Sequence, residues 1–215
     1  MIDFSRFYDA FQEDVDYKSL LEPIIPYLNK NEILLDAGCG SGHILKYLSS
    51  LGYKVLGIDN DEKMLSLAQE KIEENSLDAS VFYHDLRNPM NHKFSQIICL
   101  LDVFHYFKGV KRLVKNLYTS LDKGGILILD LYTHPVNENE ADTFLNLNYM
   151  WQTKTVNHQI DHYIELSDQN NTYSYHIKQY YQPLDYYISV LINQGFKVES
   201  ISGFDDRKTY LICIK

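Results

Sequence analysis

The chain has 215 residues, of which 29 are Asp or Glu and 20 are Lys or Arg, so its formal net charge is −9. Hydrophobic residues make up 45% and charged residues 23%, which excludes a disordered chain and is typical of a globular protein. The acidic balance argues against a nucleic-acid partner, because phosphate binding needs clustered cations.

The cysteines and the apolar runs exclude two further classes of protein. Cys39, Cys99 and Cys213 are far apart and show no CxxC spacing, so we expect neither a disulfide framework nor a metal site. No apolar run approaches the ~18 residues of a membrane-spanning helix, and the acidic N-terminal segment does not resemble a signal peptide. The sequence predicts a cytoplasmic protein with no membrane partner.

Short apolar runs alternate with amphipathic stretches as far as Tyr132, which is the pattern of a parallel α/β sheet. Strands are predicted over 32–38, 54–59, 79–85, 94–102 and 126–132. Helices are predicted over 42–50, 60–72 and 108–121. We expect Asn60 to be the N-cap of the second of these helices, and a glycine turn before residue 126 to end the third.

The pattern changes after Tyr132. A loop and a short helix are predicted over 134–147, and residues 149–181 alternate with the period of two that is typical of antiparallel strands. Further along, Pro183 is well placed in the first turn of a helix that ends at Gly195.

Two strands, over 196–202 and 209–215, complete the chain. We expect a single domain over 1–215, with an N-terminal cap over about 1–28 and a β-rich insertion over about 149–181.

A glycine loop follows the first predicted strand, with the sequence Asp36-Ala37-Gly38-Cys39-Gly40-Ser41-Gly42. Glycines at a strand-to-helix turn let a ligand approach the backbone closely. Asp59 ends the next strand, 21 residues after Gly38, where a βαβ unit places a carboxylate that can accept hydrogen bonds from ribose hydroxyls. The alternative is an ordinary Asp at a strand end, or a cap of the following helix.

Two residues indicate which nucleotide the loop binds. His43 stands where the dinucleotide fingerprint GxGxxG has its third glycine, which argues against a nicotinamide oxidoreductase. Asp36 would repel a pyrophosphate, whereas it would attract a ligand that carries an ammonium group.

The glycine loop resembles the first motif of the class I S-adenosylmethionine-dependent methyltransferases, and 55–64 resembles their second motif. His84-Asp85-Leu86 is similar to their adenine-contact position, and 100–107 is similar to the segment after their fourth strand. The resemblance covers about 30–132. It implies an α/β fold, with a Rossmann-like, doubly wound, seven-stranded sheet whose last strand is antiparallel, and an antiparallel β insertion.

The resemblance also implies S-adenosyl-L-methionine as cofactor and S-adenosyl-L-homocysteine as product. Asp59 would bind the ribose, Asp85 would lie near the adenine amino group, and the glycine loop would surround the methionine moiety. The implied cofactor-binding residues are Tyr8, Asp36, Ala37, Gly38, Cys39, Gly40, Gly42, Asp59, Asn60, Met64, His84, Asp85, Leu86, Leu101 and Asp102.

The N-terminal segment 4–9 is similar to the small-molecule branch of the family, in which an N-terminal aromatic residue closes over cofactor and acceptor. Tyr8 is the first candidate for that contact. The alternative is a short packing helix whose apolar face consists of Phe4, Phe7, Tyr8 and Phe11.

Methyl transfer is an in-line displacement, and alignment of donor and acceptor can contribute ~7–11 kcal/mol. A general base is needed only if the acceptor arrives protonated. His105 is the first candidate for that role because it follows the fourth strand at the ligand-binding edge of the sheet, and Tyr8 is the second. Tyr132 and His134 follow the fifth strand. The alternative for His105 is a loop residue that is hydrogen-bonded to the backbone.

The acceptor is expected to be a small molecule that is methylated on N or O. Residues 149–187 hold eight of the 18 tyrosines and Trp151, which fits an aromatic lid over the acceptor. These rings could instead pack a small sheet or form a dimer face, so we expect a monomer or a homodimer. Two alternatives stay open: a regulatory module that binds the cofactor without turnover, and an RNA or protein acceptor. The cations that suggest RNA are Lys108, Lys111, Arg112 and Lys115.

Overall fold

The computed structural model describes residues 4–215, so the predicted N-terminal cap begins outside the described residues. The main sheet has seven strands in the order β10-β11-β5-β4-β1-β2-β3. Their bounds are β1 Leu34–Ala37, β2 Val55–Asp59, β3 Ala79–Tyr83, β4 Phe94–Cys99, β5 Leu121–Tyr132, β10 Lys197–Ser202 and β11 Lys208–Ile214. The first five strands pair in parallel, whereas β11 is antiparallel to both of its neighbours. The predicted Rossmann-like sheet with an antiparallel last strand is confirmed.

Helices cover both faces of this sheet. Their bounds are α1 Phe4–Phe11, α2 Tyr17–Leu21, α3 His43–Ser50, α4 Glu62–Glu74, α5 Lys111–Ser120 and α6 Leu184–Gln194. Side chains of α5 and α6, among them Leu117 and Leu191, fill one core cluster, and those of α2 and α3, among them Leu21 and Leu45, fill the other. The fold is therefore doubly wound. No helix within residues 4–215 is both long and apolar enough to cross a membrane.

Several predicted boundaries shift. The N-cap of α4 is Asp61 and not Asn60, because the Asp61 carboxylate accepts hydrogen bonds from the backbone N–H groups of Lys63 at 2.8 Å and Met64 at 3.3 Å. Strand β4 ends at Cys99, before residue 102, because Leu101 and Asp102 take left-handed backbone angles. The glycine turn that was predicted after the third helix lies within β5, which begins at Leu121.

A second sheet contains four antiparallel strands in sequence order. They are β6 Glu138–Phe144, β7 Leu147–Val156, β8 Gln159–Ser167 and β9 Thr172–Tyr180. The predicted short helix within 134–147 is wrong, since β6 pairs with β7 through a two-residue hairpin at Leu145 and Asn146. Both hairpin residues have positive φ (51° and 62°), and the sequence offers no glycine to signal this turn.

The two faces of the second sheet differ. Tyr149, Ile164 and Leu166 are buried on the inner face and form a cluster with Phe7 of α1. Met150 and Tyr163 are exposed on the outer face. The apolar face of α1 is thus a packing surface for the second sheet, as the alternative interpretation of the N-terminal segment expected.

Candidate functional site

A cavity of about 720 Å³ lies at the carboxyl ends of β1, β2 and β4. Of the residues that the sequence analysis assigned to the cofactor, the cavity is lined by Tyr8, Asp36, Gly38, Cys39, Gly40, Gly42, Asp59, Asn60, Met64, His84, Asp85, Leu86 and Leu101. Ala37, Asp102 and His105 do not line it. Residues from distant parts of the sequence therefore meet in one place.

The glycine loop fits the cavity wall because two of its residues cannot carry a side chain. A Cβ at Gly38 (φ +87°) would lie 2.5 Å from a methyl group of Val103, and a Cβ at Gly42 (φ +83°) would lie 2.9 Å from Cβ of Ala68. At Gly40, by contrast, no atom outside residues 39–41 lies within 4 Å of the ideal Cβ position. The loop is pressed against the protein at its ends and leaves open space at its centre, where a ligand can contact the backbone.

Asp59 joins the glycine loop to the next helix. Its Oδ2 accepts a hydrogen bond from the Gly40 N–H at 2.9 Å, and its Oδ1 accepts one from the Asp61 N–H at 3.0 Å. Burial raises the pKa of Asp59 above its usual value, although these bonds favour the charged form. Each oxygen keeps a lone pair that can accept a further hydrogen bond, as a pair of ribose hydroxyls would require.

Asp36 has an unsatisfied oxygen. The residue is 1% exposed, and its Oδ2 has no hydrogen-bond partner. Burial and then the charge of Asp59 raise the pKa of Asp36 to about 7. A buried carboxylate oxygen without a partner is costly, and a bound ammonium group would satisfy it. The site therefore fits a ligand that carries both hydroxyls and an ammonium, as S-adenosylmethionine does.

Asp85, at the predicted adenine end, is held by a cation that the sequence analysis missed. Arg87 Nε lies 2.9 Å from Asp85 Oδ1, and a second guanidinium nitrogen lies 2.6 Å from Oδ2. This pairing holds the pKa of Asp85 below its usual value. Arg87 lines the cavity together with Lys108 and Arg112. The sequence offered one signal for this ion pair, namely that Arg87 follows Asp85 by two residues.

Helix α1 is fixed beside the cavity by another interaction that the sequence did not reveal. The Asp9 carboxylate lies 2.7 Å from His43 Nε2 and 2.5 Å from Lys71 Nζ. Burial opposes the charged form, but these hydrogen bonds hold the pKa of Asp9 well below its usual value. His43 also stacks on Tyr17. The histidine that argued against a dinucleotide thus anchors the helix that presents Tyr8.

His105 is fully buried (0% exposed) and bridges the two sheets. Its Nε2 lies 3.2 Å from the backbone nitrogen of Tyr132 in β5, and its Nδ1 lies 2.8 Å from the carbonyl oxygen of Tyr180 in β9. Because the Tyr132 N–H can only donate, Nε2 accepts and Nδ1 carries the proton. Burial lowers the pKa of His105 and keeps it neutral. This arrangement does not support His105 as a general base, since both nitrogens are used by the backbone.

The other two candidates, Tyr132 at the end of β5 and His134 just after it, also lie outside the cavity lining. Tyr132 is buried, and its hydroxyl donates to Asp102 Oδ2 at 2.8 Å. His134 lies in an exposed contact with the hydroxyl of Thr133 at 2.9 Å. Within residues 4–215, no group of three His, Cys, Asp or Glu side chains is arranged to hold a metal ion.

Tyr8, Tyr106 and Tyr180 line the cavity together with the glycine loop, and we call these three residues the roof. A chain of polar side chains in the second sheet ends at the roof. The Trp151 indole N–H donates to His162 Nδ1 at 3.2 Å, and His162 Nε2 lies 3.0 Å from Gln179 Oε1. Gln179 in turn hydrogen-bonds to Tyr106.

The polarity of this chain is fixed from its start. An indole N–H only donates, so His162 Nδ1 accepts and its Nε2–H donates to the oxygen of Gln179. Because the Gln179 oxygen is used by His162, its amide N–H is the group that can donate to Tyr106, and such a bond leaves the Tyr106 O–H as a donor. The sequence pattern predicts aromatic residues over the acceptor, but it does not single out Tyr106 or Gln179.

Comparisons with known proteins agree with this geometry. Residues 35–129 match a family model described as a methyltransferase domain. The Bacillus subtilis protein YqeM, which is named as a methyltransferase, is 24% identical over 93% of this chain and 87% of its own length.

Two solved structures share the fold. A methyltransferase from Clostridium acetobutylicum that depends on S-adenosylmethionine has a TM-score of 0.82 at 20% identity, covering 98% of this chain and 97% of its own. An amino pentose methyltransferase from Micromonospora echinaspora, solved with S-adenosylmethionine bound, has a TM-score of 0.79 at 15% identity, covering 100% of this chain and 98% of its own. The family match shows that residues 35–129 carry a methyltransferase domain, and the two solved structures show that the chain has the class I fold of S-adenosylmethionine-dependent methyltransferases.

Proposed function

We propose that the protein transfers a methyl group to an N or O atom of a small molecule that binds between the glycine loop and the roof. The observation that carries this proposal is the construction of the roof from three separate segments around a cavity of about 720 Å³. That volume is in the range of small-molecule sites. The amino pentose methyltransferase with the same fold also supports a small acceptor.

The chain's own residues hold and align the reactants. Asp36 and Asp59 are positioned for the ammonium and ribose groups of the cofactor, and the roof residues Tyr8 and Tyr106 for the acceptor. When bound, S-adenosylmethionine supplies an electrophilic methyl group. Because alignment alone can contribute ~7–11 kcal/mol, we propose a positioned in-line displacement in which His105 takes no proton. Tyr8 keeps its proposed role as a contact of both cofactor and acceptor.

The test separates cofactor binding from methyl transfer. Isothermal titration with S-adenosylhomocysteine and with NAD should show binding of the first alone. Incubation of the protein with methyl-labelled S-adenosylmethionine and a cell extract should then place the label in a new small molecule, which passes a filter of about 1 kDa and is separated from unreacted S-adenosylmethionine by chromatography.

Three outcomes would overturn parts of this proposal. Label in the RNA or protein fraction would replace the small acceptor with a macromolecule. Binding of the cofactor without transfer of the label to any other compound in any extract would favour a regulatory module. Turnover that stops in an otherwise folded His105→Asn variant, with binding intact, would restore His105 as a base. A cytoplasmic location and a monomeric or homodimeric state remain predictions.

A further inference from the structure

Strand β11 carries a buried lysine next to the turn that follows β4. The Lys208 side chain is 5% exposed, and its Nζ donates to Asp102 Oδ1 and, at 3.1 Å, to Asp130 Oδ2. The same ammonium lies 3.8 Å from the centroid of the Tyr132 ring. We propose that Lys208 is a positioning residue for cofactor binding, which holds the turn at Leu101 and Asp102 in the shape that walls the cavity.

This turn has an unfavourable backbone. Leu101 has a φ of 57° and Asp102 a φ of 72°, so two consecutive residues with side chains occupy the left-handed region. Such residues persist only where the surrounding structure fixes them. Here the fixing contacts come from Asp102: its N–H donates to Asp130 Oδ1 at 3.2 Å, and its carbonyl accepts from the His105 N–H at 2.9 Å.

The turn shapes the cofactor site although Asp102 itself does not line it. Leu100, Leu101 and Val103 all border the cavity. Val103 also rests on the glycine loop, since a Cβ at Gly38 would lie 2.5 Å from its methyl group. A turn that relaxed to ordinary backbone angles would therefore move both the wall and the support of the loop.

Lys208 is needed because its ammonium pairs with two carboxylates. Without it, Asp102 and Asp130 would face each other in the interior as uncompensated charges, which is strongly unfavourable. Burial opposes ionisation of Asp102, but the ammonium of Lys208 outweighs burial and holds the pKa of Asp102 below its usual value. Burial raises the pKa of Asp130. The three groups carry a formal charge of −1 when all are ionised.

Other titratable groups also face this cluster and must be counted in any pH experiment. Those that interact with Asp102 or Asp130 come from α1, the 3-10 helix Val103–Tyr106, and strands β4, β5, β8 and β11. They are Tyr8, Cys99, His105, Tyr106, Tyr132, His162 and Tyr210. Among these, only the two histidines ordinarily change charge near neutral pH.

The experiment measures the affinity for S-adenosylhomocysteine by titration calorimetry in Lys208→Met, which keeps the length of the side chain and removes its charge. We expect at least tenfold weaker binding at pH 7.5. We also expect the affinity of this variant, relative to the wild type at the same pH, to fall from pH 6 to pH 8, because protons that relieve the repulsion between the two carboxylates become scarcer. Ionisation of Asp36 should raise the affinity of both proteins over the lower part of that range, so it cancels in this ratio.

The chain offers a matched control at the other end of β11. Lys215 Nζ lies 4.5 Å from the centroid of the Tyr118 ring and donates to two backbone carbonyls, but it lies outside the cavity lining. Lys215→Met should therefore lower the melting temperature while its affinity for S-adenosylhomocysteine stays within twofold of the wild type.

A second variant distinguishes charge from packing. Lys208→Met/Asp130→Asn restores the formal charge of −1, and the new side-chain amide oxygen can still accept from the Asp102 N–H. We expect it to fold and to bind within threefold of the wild type. Binding by the single variant within twofold of the wild type would overturn the proposal, as would a double variant that binds no better than the single one. If the single variant does not fold, weak binding by the double variant overturns the proposal.

Discussion

The floor of the cavity, which comprises the glycine loop and Asp59, is built differently from its roof of Tyr8, Tyr106 and Tyr180. The floor comes from a single βαβ unit, in which residues 36–42 and Asp59 are brought together by two neighbouring parallel strands. The roof draws one residue from α1, one from a 3-10 helix and one from β9. The proposed cofactor contacts of the floor are therefore encoded locally, whereas the proposed acceptor contacts of the roof depend on the packing of distant segments.

The largest expected effect tests the floor. Asp59→Ala would remove the two proposed charge-assisted hydrogen bonds to the cofactor, each contributing ~1.5–3 kcal/mol, and also the support of the Gly40 N–H. We expect the affinity for S-adenosylmethionine to fall by at least ~100-fold in titration calorimetry, since even two bonds of ~1.5 kcal/mol correspond to more than that factor. The matched control is Asp78→Ala, an exposed acid just before β3. Unchanged affinity in Asp59→Ala would refute the ribose role. The local sequence pattern would then predict the contacts of the floor no better than those of the roof.

The second prediction concerns the connection between the two sheets. His105→Ala leaves the Tyr132 N–H and the Tyr180 carbonyl without partners, at ~1–3 kcal/mol for each buried group. We expect the free energy of unfolding to fall by about 3 kcal/mol in urea denaturation. The pH profile of the remaining activity should keep its shape, because in the proposed mechanism His105 takes no proton from the acceptor. A variant of normal stability without activity would contradict this interpretation.

The third prediction separates the roof from the floor. Tyr106→Phe removes a hydroxyl that the chain from Trp151 through Gln179 orients, but it leaves the ring in place. We expect transfer of labelled methyl to fall about tenfold, which corresponds to one hydrogen bond of ~1.4 kcal/mol, with S-adenosylhomocysteine affinity within twofold. Tyr163→Phe is the control, since that tyrosine lies on the outer face of the second sheet. A parallel loss of cofactor affinity would show that Tyr106 contributes to cofactor binding, as the floor is proposed to do.

The residues that the sequence could predict are those held together by local structure, as in the floor. Gly38, Asp36 and Asp59 were predictable because a strand, a glycine turn and a second strand bring them together within 24 residues, and β-strand pairing then fixes their positions. The main sheet was predictable for the same reason, since its apolar strands alternate with amphipathic helices.

Lys208 and His105 show what local patterns miss. Lys208 lies 106 residues from Asp102, and only the antiparallel pairing of β11 with β5 brings them together. For His105, the position at the sheet edge suggested a site residue, but the residue does not line the cavity, and the carbonyl of Tyr180 that occupies its Nδ1 lies 75 residues away. The strand β6 was missed because Leu145 and Asn146 form a hairpin that usually requires glycine.

The smallest expected effect is the pH dependence of cofactor binding by the floor. The pKa of Asp36 is raised to about 7 in the free protein, so protons compete with the ammonium group of the cofactor below that pH. About three quarters of Asp36 is ionised at pH 7.5 and about a tenth at pH 6, so the affinity for S-adenosylmethionine should fall roughly eightfold between them.

The stability of the free protein should depend on pH in the opposite direction from the cofactor affinity. Because folding raises the pKa of Asp36 above its unfolded value of 3.8, the native state binds the extra proton between pH 4 and 7. The contribution of Asp36 to stability is therefore present at low pH and is lost as pH rises through 7. Asp36→Asn should flatten both curves, measured by calorimetry and by thermal unfolding from pH 5.5 to 7.5. If only the stability curve flattens, Asp36 is buried for folding alone, and the ammonium of the cofactor binds elsewhere on the floor.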